Sequence, residues 1–173
     1  MLRLQQDIVI GLTGTLAKAF LYIFTKPTIV NKKVLEQCIL SRPKNQALIT
    51  FMNHVSVIDE PLSWGILPFK ILFRSKLMRW TLGAKEIMFT NPFTSWFFSK
   101  GQVLSTVRGS GIFQRSVNHA VELGNKGEWI HVFPQGKVIQ TAELGRMKWG
   151  VARIILSLNI PPIILPIWIE GMI

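Results

Sequence analysis

His54 and Asp59, with four residues between them, are the side chains of this sequence best suited to acid–base chemistry. At a tight turn, this spacing allows the carboxylate to fold back onto one imidazole nitrogen. Such a carboxylate fixes the tautomer and stabilises the imidazolium that forms when the base takes a proton. The pKa of a free histidine, about 6.5, suits a general base near neutral pH. Because Ser56 lies on the same turn and is no convincing nucleophile, we interpret the pair as a base that activates a substrate hydroxyl. A structural His–Asp pair in a loop is the alternative, and the spacing alone favours it.

Polar residues follow the ends of three predicted strands. Residues 47–52, 102–107 and 128–133 are apolar runs typical of buried strands. They lead into Asn53-His54, Arg108-Gly109 and Pro134-Gln135-Gly136. In open α/β sheets, ligands bind in the crevice beyond the carboxyl ends of the strands. The sequence therefore predicts that these polar residues share one site.

The remaining pattern alternates between strands and helices. Further strands are predicted over residues 70–73 and 162–168, the latter interrupted by Pro166. Helices are predicted over residues 32–40 after Asn31, from Asp59 onward, from Ser110 with Phe113 and Val117 on its apolar face, and over residues 149–158. This order favours one α/β domain over residues 31–173, with a mostly parallel or mixed sheet flanked by helices. A chain that stops just after a strand is also expected to be truncated at its C-terminus.

Residues 1–30 are predicted to form a hydrophobic, membrane-associated segment. Its apolar stretch, residues 8–24, contains Gly11, Gly14 and Lys18. A membrane-spanning helix needs about 20 apolar residues. The stretch is marginal by that measure, so a spanning helix, an interfacial or re-entrant helix and a buried helix all stay open.

Composition favours a membrane surface over nucleic acid as a partner. Hydrophobic residues make up 49% of the chain and charged residues 17%, and the net charge is +11. The basic residues are scattered among large apolar ones, with seven Lys/Arg against Glu86 alone in residues 61–110. For any single cation, a solvated surface position is the alternative. The one cysteine, Cys38, allows no internal disulfide, and the sequence has no metal-ligand cluster.

Four blocks in order resemble the glycerolipid acyltransferase superfamily. They are NHVSVIDEP at residues 53–61, a segment ending VRG at 101–109, FPQGKV at 133–138 and IILPIW at 163–168. The stretches WGIL at 64–67, KLMRWT at 76–81, WIHVFP at 129–134 and KWG at 148–150 are similar to the tafazzin-like branch. That branch consists of mitochondrial phospholipid transacylases.

The resemblance implies a function and a site. His54 and Asp59 would be the catalytic pair, Arg108 would hold a phosphate, and Gly136 would let the backbone approach the substrate. The same blocks place Asn53, Ser56, Gln135 and Lys137 beside the substrate. Acyl chains would move between phospholipids and lysophospholipids, notably toward cardiolipin, without coenzyme A or another cofactor. Residues 8–24 and 154–168 would seat the protein peripherally or monotopically in an anionic mitochondrial membrane.

One position departs from the resemblance. The third block normally reads Phe-Pro-Glu-Gly, and Gln135 stands where the glutamate is expected. If a carboxylate there balances Arg108, its loss weakens activity; if the residue only braces the turn, little changes. Two other functions therefore stay open: an acyl-CoA-dependent lysophosphatidate acyltransferase and a lipid-binding protein that no longer turns over.

Overall fold

A computed structural model of the chain describes residues 2–141 and 145–171. Its centre is one sheet of five parallel strands in the order β3-β2-β4-β1-β5. The strands are β1 (Leu48–Met52), β2 (Trp80–Ala84), β3 (Val103–Thr106), β4 (Trp129–Val132) and β5 (Ile163–Ile167). The predicted α/β class is confirmed. Residues 172 and 173 of the predicted domain lie outside the described residues.

The central strands β1 and β4 are apolar except for Thr50 and His131, as expected where helices cover both faces of the sheet. All four residues of β4 are buried. β5 lies at the edge, where it pairs with β1 alone among the described strands. Pro166 is accommodated within β5 because an edge strand can leave the missing N–H unpaired.

The helices divide between the two faces. One face carries α1, α2, α3, α4 and α6, and the other carries α7 and α8. The helices are α1 (Leu2–Phe24), α2 (Lys32–Leu40), α3 (Asp59–Trp64), α4 (Phe69–Leu72), α5 (Lys85–Met88), α6 (Pro92–Lys100), α7 (Arg115–Asn125) and α8 (Gly150–Leu156). Because α3 follows β1 on one face and α8 follows β4 on the other, a topological switch point lies between these two neighbouring strands.

Two sequence predictions about these elements were wrong, and one strand was missed. Residues 70–72 lie in α4 and Phe73 follows its end, because a short apolar run does not distinguish a strand from a buried helix. The helix predicted from Ser110 begins only at Arg115, and Phe113 is exposed in the loop before it. β2 was not predicted, since Gly83 and the polar residues around it weaken the strand pattern.

Helix α1 has one face toward the protein and one away from it. Val9, Ile10, Ala17 and Leu21 are buried against the neighbouring helices. A stripe at every fourth position is exposed and apolar: Leu4, Ile8, Leu12, Leu16, Phe20 and Phe24. Residues Arg3–Phe24 are long and apolar enough to cross a membrane by length and composition.

Lys18, the charge within this apolar stretch, is used inside the protein. Its Nζ donates a hydrogen bond to the Gly65 carbonyl at the end of α3, at 2.6 Å. Partial burial lowers the pKa of Lys18. The charge is therefore satisfied by the protein and stands apart from the exposed apolar stripe.

The second stretch expected to seat the protein in a membrane, residues 154–168, is largely part of the fold. Ile154 is buried in the core beside α7, and Ile163–Ile167 form β5, which is hydrogen-bonded to β1. This stretch contains one of the two edge strands of the sheet, and its contact with a membrane stays a prediction.

Candidate active site

His54 and Asp59 form the pair that their spacing predicts. The Asp59 Oδ2 lies 3.0 Å from His54 Nδ1. Asp59 is fully buried, whereas 20% of the His54 side chain is exposed. Because a carboxylate only accepts hydrogen bonds, Nδ1 carries the proton and Nε2 keeps its lone pair. His54 lines the cavity described below, so its free nitrogen is available for a substrate proton.

The turn between β1 and α3 is organised around the same carboxylate oxygen. Asp59 Oδ2 also accepts hydrogen bonds from the backbone N–H groups of Val55, at 2.7 Å, and Ser56, at 2.8 Å. These bonds fold the chain after His54 back onto the start of α3. Asp59 therefore fixes both the turn and the ring that the turn carries.

Gln135 braces the other side of His54. Its Oε1 accepts a hydrogen bond from the His54 backbone N–H at 2.7 Å, across 81 residues of sequence. The Ile139 N–H donates to the His54 carbonyl, also at 2.7 Å. The loop after β4 thus holds the His54 peptide from both ends, at the switch point between β1 and β4.

A cavity of about 1270 Å³ opens in front of this pair. Its lining includes apolar side chains of β2, α5 and α6, among them Leu82, Met88, Phe97 and Phe98. It also includes the cationic side chains Arg108, Lys137, Arg146 and Lys148. The arrangement suits an amphipathic ligand with an apolar chain and a negatively charged head.

The structure brings together most of the predicted site residues. His54, Arg108, Gln135, Gly136 and Lys137 line the cavity, with Asp59 directly behind His54. Gly136 has a φ of 66°, and a Cβ there would come within 3.1 Å of the Lys148 side chain. Glycine is therefore needed both for the backbone conformation and for the close packing of this loop.

Asn53 and Ser56 have structural contacts instead. The Asn53 side chain donates to the Ile169 carbonyl and accepts from the Ile169 N–H, each at 2.8 Å. It ties the end of β1 to the chain after β5. Ser56 contributes its backbone N–H to Asp59, and neither residue is among the described residues that line the cavity.

Arg108 and Gln135 face the same cavity, but their contacts differ from the expected ones. The carboxylate that pairs with Arg108 is that of Glu86, at 3.4 Å from Nε, and both side chains are exposed. One hydrogen bond of Gln135 comes from the His54 backbone N–H. The residue at position 135 is thus tied to the backbone of the proposed base.

The sequence interpretation missed a buried ion pair in the cavity wall. Arg79 Nε donates to Glu60 Oε1 at 2.6 Å, and Arg79 Nη1 donates to the Gly101 carbonyl at 3.0 Å. The guanidinium also lies 4.1 Å from the Trp64 ring. In the sequence, the only signal for this pair was that Glu60 directly follows Asp59. Arg79 gave no signal of its own, because it is one of many scattered cations. For Arg79, the alternative of a solvated position is wrong.

His131 is a second histidine close to the site. It is 3% exposed, and its Nδ1 lies 2.7 Å from Thr50 Oγ1. Trp129 Nε1 donates to the same hydroxyl at 2.8 Å. Burial, followed by the positive charges of Arg79 and His54, lowers the pKa of His131 to about 3. His131 is therefore neutral near pH 7.

Comparison with known proteins gives consistent matches. The acyltransferase family model matches residues 26–170. Tafazzin from Drosophila melanogaster is 43% identical over 166 residues, which are 96% of this chain and 44% of that protein. Taffazin from Dictyostelium discoideum is 37% identical over 168 residues, 95% of this chain and 59% of that protein. N-acylphosphatidylethanolamine synthase from Arabidopsis thaliana is 36% identical over 169 residues, 97% of this chain and 60% of that protein.

These matches confirm the resemblance that the four sequence blocks indicate. The chain spans about half the length of the curated relatives it matches.

Proposed function

The chain belongs to the acyltransferase family, and we propose that it moves fatty acyl groups between phospholipids and lysophospholipids with His54 as the general base. One observation carries the proposal. The hydrogen-bonded His54–Asp59 pair lies at a cavity lined by His54 together with many apolar side chains and several cationic ones.

The reaction uses the two nitrogens of His54 differently. Nε2 takes the proton of a glycerol hydroxyl as its oxygen attacks the carbonyl carbon of an acyl ester. The tetrahedral intermediate then expels the donor's glycerol oxygen, which takes the same proton from Nε2. Asp59 stabilises the imidazolium between these steps through Nδ1. One ester bond breaks, one forms, and the histidine ends neutral.

The cavity offers a place for each part of a phospholipid. The acyl chain would lie against the apolar side chains of β2, α5 and α6 that line the cavity. The phosphate would lie near Arg108, Lys137 and Lys148, because guanidinium and ammonium groups bind phosphate oxygens through charge-assisted hydrogen bonds. Glu60 is already paired with Arg79, and Arg108 would exchange its exposed partner Glu86 for the phosphate.

Membrane binding follows from the exposed stripe of α1 and the net charge of +11. The protein is expected to bind vesicles peripherally and to prefer anionic lipid, since each Lys or Arg near such a surface contributes about 1 kcal/mol. Extraction by high salt alone would contradict the hydrophobic part, and equal binding to neutral vesicles would contradict the electrostatic part. Tafazzin-like relatives support a mitochondrial membrane as the location.

The test is acyl transfer from radiolabelled phospholipid to a lysophospholipid, lysocardiolipin included, with and without coenzyme A. Labelled product without coenzyme A is the expected result. Product only from acyl-CoA would support the lysophosphatidate acyltransferase alternative. Vesicle binding without product from either donor would support a lipid-binding protein that does not turn over.

The name of the plant relative adds one acceptor to this assay. N-acylphosphatidylethanolamine synthase denotes acylation of an amine. Phosphatidylethanolamine should therefore be offered as acceptor beside lysophospholipid. A faster reaction with phosphatidylethanolamine would mean that the acceptor group is an amine and not a hydroxyl. The proposal of acyl transfer itself would stand.

A further inference from the structure

We propose that acyl chains pass from the bilayer into the cavity beside α6. We also propose that the outer aromatic side chains of α6 dock on the lipid surface. The proposal rests on the proposed function for the identity of the cavity's ligand. It adds where that ligand enters and which surface meets the membrane.

Helix α6 has one aromatic face inside the cavity and another in solvent. Phe97 and Phe98 line the cavity. Phe93 is 70% exposed and Trp96 is 44% exposed. The Phe93 ring stacks on Phe97 at 6.5 Å, and Phe97 meets Phe98 edge to face at 5.4 Å. An unbroken row of aromatic rings therefore leads from the surface into the cavity.

The outward position of these rings is set by the start of the helix. Asn91 accepts a hydrogen bond from the Thr94 N–H at 3.0 Å, and the Asn91 N–H donates to Thr94 Oγ1 at 3.2 Å. Pro92 occupies the first turn, where its missing N–H has no cost. With its start fixed in this way, α6 presents Phe93 and Trp96 to solvent as ordered side chains.

The exposed apolar surface of α6 continues onto α1, and this continuity favours lipid as the partner of that surface. Helix α6 contacts α1. Val9 and Thr13 of α1 line the cavity together with Phe97, while the neighbouring Leu12 and Leu16 are exposed. Both helices thus line the same cavity, and each carries large exposed apolar side chains.

Charge and residue type fit an anionic bilayer. Residues 61–110, which contain α6, carry seven Lys/Arg against one Glu, and six of these cations remain when Arg79, buried in its pair with Glu60, is left out. Tryptophan is enriched where membrane meets water, because its ring is apolar and its N–H is polar. A lipid chain could then leave the bilayer between α1 and α6 and reach His54 without crossing water.

The opposite face of the sheet supplies a matched control. Leu156 of α8 is 85% exposed, so it is at least as accessible as Phe93. It lies on the face that carries α7 and α8, away from α1 and α6. The single native cysteine, Cys38, can be replaced by alanine, which allows one label to be placed at either position.

The first experiment compares Phe93→Cys and Leu156→Cys, each carrying a polarity-sensitive fluorophore, on vesicles of phosphatidylcholine and phosphatidylglycerol. We expect a blue shift, and quenching by nitroxide lipid, at position 93 and neither at position 156. Equal responses, a stronger response at 156, or none at either position of the bound protein would overturn the docking surface. This result does not depend on catalysis.

The second experiment measures vesicle affinity and the entry path. Trp96→Asp should weaken vesicle partitioning about 10-fold, as expected from the loss of one buried aromatic side chain, and Leu156→Asp less than about twofold. Equal losses would contradict the proposal.

A cleavable reagent joining Leu12→Cys to Phe93→Cys, two exposed positions outside the cavity lining, should stop transfer from vesicle lipid, and cleavage should restore it. Full activity of the cross-linked protein would overturn the entry path. If the wild-type protein transfers no acyl group at all, the proposed function fails, and the fluorophore result still decides the docking surface.

Discussion

Two histidines contact the same phenylalanine ring and have opposite surroundings. The His54 ring lies 4.2 Å from the Phe133 ring, and the His131 ring meets it edge-on at 4.9 Å. His54 has a carboxylate partner and faces the cavity. His131 has a hydroxyl partner and is buried within β4.

The difference explains why we propose His54, and not His131, as the base. A proton on His54 would be stabilised by Asp59, whereas a proton on His131 would add a charge to a buried site already near Arg79. The two residues belong to neighbouring strands or their ends, so their surroundings and not their general location distinguish them. We therefore propose a chemical role for His54 and a packing role for His131.

The largest expected effect is that of His54→Ala. Loss of a general base should lower kcat about 100- to 10,000-fold, with vesicle binding unchanged. The matched control is His131→Gln, which should cost less than about tenfold because it removes no proton acceptor from the cavity. An alanine variant that keeps more than roughly a tenth of the wild-type rate would show that His54 is not the base.

A smaller loss is expected for Asp59→Asn. The amide oxygen can take the place of Oδ2, since that atom also accepts two backbone N–H groups. The tautomer of His54 is then kept, and only the negative charge is lost. A charge-assisted hydrogen bond is worth about 1.5–3 kcal/mol, so kcat should fall about 10- to 100-fold.

Asp59→Ala is the comparison for this variant, because it also removes the acceptor that folds the turn. Its Tm should lie below that of Asp59→Asn. If the asparagine variant reacts at the wild-type rate, the charge of Asp59 plays no part in catalysis.

A gain is expected for Gln135→Glu. A carboxylate would accept the His54 N–H through a stronger, charge-assisted bond and hold the base more firmly. We expect kcat to rise about 10-fold, equivalent to roughly 1.4 kcal/mol, with a smaller change in KM. Gln135→Leu, which removes the acceptor, should lower kcat. An unchanged or slower glutamate enzyme would mean that the residue only braces its turn.

His131 should affect the free energy of unfolding rather than the rate of acyl transfer. In the fold its pKa is about 3, compared with an ordinary value of 6.5. Between these two pH values the unfolded chain binds a proton that the folded protein excludes. The free energy of unfolding should therefore decrease as pH falls below 6.5, by up to about 1.4 kcal/mol per pH unit from this residue.

Denaturant titrations of the wild type and His131→Gln from pH 7 to pH 4 measure this contribution as a difference. The variant's stability should fall less steeply with decreasing pH. Parallel curves would contradict the buried neutral state of His131.

The turn at the end of β1 could be predicted from sequence because its determinants are local. An apolar run specifies the strand, and His54 and Asp59 are close enough in sequence for the turn to bring them together. The shared edge of parallel strands also predicted that Arg108 and Gly136 would face the same cavity.

Contacts between distant segments could not be predicted in this way. The bond from His54 to Gln135 depends on β1 and β4 being neighbours, and the sequence does not give the order of strands. Burial of Arg79 depends on the side chains of Trp64 and Glu60, which reach it only in the folded chain. Asn53 was assigned to substrate by its motif, yet it pairs with Ile169, 116 residues away.

Chemical rescue of His54→Ala by imidazole tests the central claim most directly. His54 lines a cavity large enough to admit the free base, so imidazole can reach the space that the ring leaves. Acyl transfer by the alanine variant should rise with imidazole concentration, while the wild-type rate stays constant. Equal stimulation of both proteins, or no stimulation of a folded, vesicle-bound variant, would contradict the assignment of His54 as the base.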